Sequence, residues 1–116
     1  MYRLLLSTAS SREESRSIAS ALVERRLAAC VNTVGPIESC YRWKGAVETA
    51  QEFLLLIKTT AEQIPELQKA MVELHSYELP ELIELPIEGG LQAYLAWISE
   101  SVGDSAGLDP QRLQRT

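Results

Sequence analysis

The side chains able to do chemistry are few and widely spaced. His75 is the single imidazole, and Cys30 and Cys40 are the two thiols. His75 reads as a candidate metal ligand or proton carrier, with Glu78 or Glu81 as its outer partner. The competing reading is a helix-end histidine bonded to terminal carbonyls. Lys58 follows the apolar run Phe53-Leu54-Leu55-Leu56-Ile57. A lysine drawn into such a strand must find a carboxylate or lose its charge. Glu52 is the nearest one in sequence, and Glu78 and Glu81 offer others across space. Cys30, Glu52, Lys58, Tyr77 and Glu78 are therefore the candidates for a ligand pocket, in which Lys58, Tyr77 and Glu78 would hold a small anion. The plainer alternatives are a lysine snorkelling to water and a small buried thiol at Cys30. Cys30 would need Lys58 or His75 beside it to act as a nucleophile or ligand. Tyr41 and Trp43 suit either a stacking platform or, more simply, a subunit interface.

Familiar catalytic and metal patterns are missing. The chain has no CxxC, HExxH, GxxxxGK[ST] or GxGxxG. One histidine excludes a multi-histidine centre built within one chain. No catalytic residue is assigned, and no cofactor is required for folding.

The elements that must position these groups follow from periodicity. Tyr2 to Ala9 is an apolar strand. Ser10 or Ser11 then caps a helix, with Glu13 or Glu14 three residues on, and Arg25 and Arg26 fall in its last turn. Ala28 to Trp43 is a long strand interrupted at Gly35-Pro36, where a bend or bulge is expected. Lys44-Gly45-Ala46 turns the chain, and Val47 to Thr59 returns. Thr59 or Thr60 caps a second helix with Pro65 in its first turn, where a missing N–H costs nothing. Ile64, Leu67, Met71 and Leu74 form its apolar stripe. Glu81 to Ile87 is a last strand, with Pro86 suggesting an edge. Leu91, Tyr94, Leu95, Ile98 and Val102 mark a third helix. The order β-α-β-β-α-β plus a helix predicts an α+β, ferredoxin-like antiparallel sheet with helices on one face. Residues 1–102 make one domain, and 103–116, rich in breakers, read as a mobile tail.

Length and charge add two constraints. Sixteen extended residues from Ala28 to Trp43 span about 50 Å, whereas a domain of 116 residues has a diameter of about 35 Å. The hairpin must bend, protrude or pair with another chain, and it carries Tyr41, Trp43 and Val47 near its tip. A homo-oligomer is expected. The net charge is -5, which argues against nucleic acid or an anionic membrane as partner. Residues 45–102 hold ten acidic and two basic side chains, so cations would be drawn there. The acidic residues can hold hard cations weakly. No apolar run reaches the roughly 18 residues of a membrane helix. The start of the chain reads as a strand rather than a signal, so reduced thiols and a cytoplasmic location are expected.

Five blocks in one register resemble the CutA divalent-cation tolerance family. They are Ala28-Ala29-Cys30-Val31-Asn32, Tyr41-x-Trp43-x-Gly45, Glu52-x-Leu54-Leu55-Leu56-Ile57-Lys58-Thr59, His75-x-Tyr77-Glu78-x-Pro80-Glu81, and Leu85-Pro86-Ile87 followed by Tyr94-Leu95-x-Trp97-Ile98. The resemblance covers residues 2–102. It implies a ferredoxin-like homotrimer whose long hairpins pair between subunits, a role in tolerance of divalent metals with copper the usual ligand, and no enzymatic reaction. The family's proposed metal ligands are a first-strand cysteine and two adjacent histidines. Ser7 and Leu74 stand at two of those positions, which leaves His75 and weakens a copper site. Two rivals remain. One is a PII-like signalling or scaffold trimer binding a small anionic metabolite between subunits. The other is an acylphosphatase-like enzyme, for which the loop Ser7 to Arg12 lacks a glycine-rich cradle.

Overall fold

Apolar alternation in the first and third strands builds the centre of the sheet, and everything else is arranged around it. The computed structural model describes residues 1–103. The expected tail lies outside them except for Gly103. The elements are β1 (Tyr2–Ala9), α1 (Arg12–Glu24), β2 (Cys30–Trp43), β3 (Ala46–Thr60), a short 3₁₀ turn (Ala61–Gln63), α2 (Ile64–Leu74), β4 (Ile83–Pro86) and α3 (Gln92–Ser101). The four strands form one antiparallel sheet in the order β2-β3-β1-β4. The α+β reading and the element order are as expected.

Side chains alternate across a strand, so the two faces can be read from the register. Leu5 and Ala9 of β1 and Leu55 and Ile57 of β3 point to the face covered by α1 and α2. There they pack with Ile18, Leu22, Leu67, Ala70 and Met71. α3 lies on the opposite face, where Ile98 and Val102 pack with Ala29, Tyr2 and Leu95. It covers only one end of that face. Leu4, Leu6, Leu54 and Leu56 share the rest of it by alternation, and Val34, Ile83 and Leu85 are 47%, 49% and 41% exposed.

Several local expectations shift by a residue or change partner. Ser11 caps α1 by accepting from the Glu14 N–H, while the Glu14 carboxylate accepts from the backbone and hydroxyl of Ser10. Both serines thus serve one cap. Arg25 and Arg26 fall just past α1. Arg26 takes a positive φ of 60° and donates to the carbonyls of Glu100 and Gly103 at 2.7 and 2.9 Å. Its charge meets the negative end of α3 rather than that of its own helix. Neither Thr59 nor Thr60 caps α2 with its side chain. Thr59 is buried at the end of β3, and its hydroxyl donates to the Leu27 carbonyl at 2.7 Å. β4 is shorter than expected, Ile83–Pro86, and just before it the Glu81 carbonyl accepts from the Ser7 hydroxyl at 2.7 Å. Pro65 does sit in the first turn of α2.

The long hairpin protrudes. The described chain extends 53 Å along its longest axis with a radius of gyration of 15.4 Å, against about 13 Å for a compact domain of similar length. Lys44 and Gly45 turn it with φ of 49° and 84°, the positive pair that a type I′ turn requires. The interruption at Gly35-Pro36 is a bulge, visible as a register shift between Val34 and Ile37. Gly35 is needed there for space. A Cβ at this position would lie 2.6 Å from Phe53 Cδ1 and 3.2 Å from the Glu52 carbonyl. Gly35→Ala should therefore destabilise the fold by about 1–3 kcal/mol. Gly89→Ala, where a Cβ meets nothing within 4 Å, should be close to neutral, and urea unfolding of both variants checks the contrast.

Candidate functional site

The segment after α2 straps over the C-terminal end of β1. His75 anchors it with a fully buried side chain. Its Nε2–H donates to the Thr8 carbonyl at 2.5 Å, and its Nδ1 accepts the backbone N–H of Tyr77 at 3.1 Å. These two bonds fix the tautomer, since a carbonyl can only accept. The Ser76 N–H donates to Glu14 Oε2 at 2.8 Å, so the carboxylate that caps α1 also holds the strap. Burial alone would raise the Glu14 pKa. The hydrogen bonds from Ser76 and Ser10 outweigh it and hold the carboxyl down at about 2.

Beyond His75 the strap delivers Tyr77 to Glu52. The Tyr77 hydroxyl donates to Glu52 Oε2 at 2.6 Å. Burial, then the bond to Glu52 and its charge, push the Tyr77 pKa far up, so its proton stays in place. Glu52 is only 6% exposed, and among the described residues it forms no ion pair. Glu81 sits close enough to feel it: burial first, and then the Glu52 charge, raise the Glu81 pKa. Two carboxyl groups and a phenol thus share one corner of the sheet, and Glu52 has no ion-pair partner among the described residues.

The expected pocket divides between the two ends of one face. Glu52 and Tyr77 meet. Glu78 instead turns away to Lys44 at the hairpin turn, 3.5 Å apart and well exposed. Lys58 is six residues from Glu52 along β3, or about 20 Å. It lies against α3, with Nζ 3.4 Å from the Tyr94 hydroxyl and 5.6 Å from its ring centre. Cys30 is directly opposite Lys58 in the sheet register, so those two expected neighbours do come together. Within one chain, Lys58, Tyr77 and Glu78 do not form a common anion pocket. Tyr41 is 43% exposed on the hairpin, and Trp43 beside it carries Lys44 over its ring at 5.5 Å.

The donor set fits a tight copper site poorly. Both ring nitrogens of His75 are engaged by the backbone, so a metal would have to displace one of these bonds to reach the imidazole. Cys40 lies ten residues along β2 from Cys30 and pairs with Thr49, so the thiols share no site. Among the described residues no group of three or more His, Cys, Asp and Glu side chains is placed to hold a metal. Sequence reasoning missed the role of Glu14 in the strap. Its spacing from Ser11 signalled a helix cap, and nothing local signalled Ser76.

Similarity to known proteins fits this architecture. Residues 3–101 match the family described as CutA1 divalent ion tolerance protein. A divalent-cation tolerance protein CutA of Thermus thermophilus is 48% identical over 103 residues, covering 89% of this chain and 100% of that protein. Its namesake from Archaeoglobus fulgidus is 42% identical over 88% of this chain and 99% of that protein. The Thermus thermophilus structure superposes with a TM-score of 0.87 over 89% of this chain and 100% of that one. An Archaeoglobus fulgidus structure, described as a periplasmic divalent cation tolerance protein, gives 0.85 at 42% identity, covering 89% of this chain and 100% of that one. The chain belongs to the CutA divalent-ion tolerance family.

Proposed function

We propose that the chain works in divalent-cation tolerance as a non-catalytic, ferredoxin-like homotrimer that meets cations such as Cu²⁺ weakly, through carboxylates. The observation that carries the trimer is the half-covered sheet face. Leu4, Leu6, Leu54 and Leu56, with Val34, Ile83 and Leu85 beside them, make an apolar surface that a monomer has no reason to leave to water. The protruding hairpin, carrying Tyr41 and Trp43, supports the same reading. Three copies would carry a charge of about -15, from -5 on each, and a cation atmosphere follows from that charge without a closed site. A cytoplasmic location belongs to the same proposal, and fractionation of cells is its test against the periplasm.

Sedimentation equilibrium at micromolar protein tests the assembly, with a mass near three chains expected and a monomer refuting it. Titration calorimetry with Cu²⁺ and Zn²⁺ tests the cation reading. Wild type and His75→Gln should show the same shallow isotherms, suppressed by added salt. A tight event lost in His75→Gln would restore the histidine as a ligand. A PII-like role would show itself as a metabolite that raises the melting temperature, because binding to the native state stabilises it by mass action.

A further inference from the structure

We infer that the Glu52 site is completed by a second copy of the chain: Lys58 of the neighbouring copy supplies the cation that Glu52 lacks. This rests on the homotrimer proposed above. A buried carboxylate needs a positive partner or a full set of donors. Glu52 has one donor, the Tyr77 hydroxyl, a second carboxyl group nearby in Glu81, and no ion pair among the described residues. An ionised carboxylate accepts about four hydrogen bonds; the second oxygen receives none from the described residues and still touches solvent, since no fully buried side-chain oxygen is left without a partner, so an incoming group can reach it.

The same sheet face offers the missing charge at its other end. Pairing of β1 with β3 runs without a shift from Tyr2↔Thr60 to Ala9↔Phe53, and at the bulge the extra residue belongs to β2, where Val34 to Ile37 faces Leu54 to Glu52, so alternation along β3 continues to Glu52. Glu52, Leu54, Leu56 and Lys58 therefore project to one side. Lys58 has only a long contact with the Tyr94 hydroxyl and the Tyr94 ring. It too forms no ion pair among the described residues. About 20 Å of strand separates the two groups within a chain, so they cannot meet there. An acidic end and a basic end on one apolar face fit a head-to-tail contact, the kind that closes into a ring when its rotation permits. Lys58 of the neighbouring copy then reaches Glu52 and Tyr77, while Leu54 and Leu56 between them are covered.

A double-mutant cycle tests the pairing. Wild type, Glu52→Gln, Lys58→Met and the double variant are compared by sedimentation equilibrium and by melting at fixed protein concentration. Glu52→Gln keeps an acceptor for Tyr77, and Lys58→Met removes a charge outside the core, so both should fold. Each single change should raise the dissociation midpoint about tenfold, and the double should be no worse than the worse single. Lys58→Arg should assemble as wild type does. Groups 20 Å apart within one chain would show no such coupling. Trimers whose two losses simply add would overturn the pairing and leave the trimer standing. A wild type that sediments as a monomer would remove both.

Discussion

Glu14→Gln should cost the fold up to about 3 kcal/mol at pH 7. The carboxyl is held at about 2 against an ordinary value of 4.5. A carboxylate depressed in the folded state adds stability that is complete above its unfolded pKa and fades as acid protonates it. The contribution is therefore full above pH 5, falls between 4.5 and 2, and is gone below 2. At roughly 1.4 kcal/mol per decade of proton affinity, the range amounts to about 3 kcal/mol. The side chain is only 13% exposed, so solvent screens little of it. The structural reason is a double duty. One oxygen accepts from Ser10 beside the α1 cap, and the other accepts from Ser76 in the strap. A glutamine has one acceptor oxygen and cannot serve both. Urea unfolding of wild type and variant at pH 7 and pH 2.5 checks this. The difference should be large at pH 7 and mostly lost at pH 2.5. Equal stability at pH 7 would show that the strap is not held through Glu14.

The same residue shows where sequence reading stops. Periodicity was enough for β1, β3, α1 and α2, because each has an apolar stripe wide enough to reveal which side is buried. The bulge was legible because proline cannot donate within a ladder. The cap of α1 was legible because serine and glutamate three residues apart satisfy local N–H groups. Contacts between distant segments left no such trace. Ser76 and Glu14 are sixty-two residues apart, and Arg26 reaches α3 across seventy-four. Thr59 looked like a cap because nothing nearby in sequence revealed that the Leu27 carbonyl waited for its hydroxyl. Of the candidate site, the sequence grouping is met only in part. Tyr77 does meet Glu52, and Cys30 does face Lys58. The division of the cluster was hidden because it depends on how a six-residue step along β3 is spent: on one face, but at opposite ends.

The strap also explains why His75 and Tyr77 are better understood as positioning groups than as a metal centre. His75 uses both nitrogens to bind the backbone, and Tyr77 stacks near it at 4.5 Å between ring centres before reaching Glu52. Each link fixes the next: Thr8 places the imidazole, the imidazole places the Tyr77 amide, and the phenol then meets the one buried carboxylate of the sheet. The arrangement delivers a rigid acidic corner to the rim of the half-covered face. In the trimer proposed above, such rigidity would suit an interface, which needs complementary charge in fixed positions more than it needs reactive groups.

Leu56→Glu should convert the proposed trimer to a monomer at micromolar concentration, with a fall in melting temperature of more than about 10 °C. Leu56 lies at the centre of the open face, opposite Leu6 on β1 and Asn32 on β2. A single chain leaves it partly exposed, so a carboxylate there is hydrated and the isolated domain still folds. An assembly built on that face would bury three such charges together, each costing several kcal/mol without a partner. The trimer then loses to the monomer by mass action, and the stability it lent the fold is lost with it. At roughly 4–8 °C per kcal/mol for a domain near this size, the loss of even 2–3 kcal/mol gives the stated fall. Val72→Glu is the control. Val72 is 70% exposed on α2, on the far side of the sheet, and its substitution should leave both mass and melting unchanged. If Leu56→Glu sediments with the wild-type mass and melts with it, the apolar face is not a contact between copies.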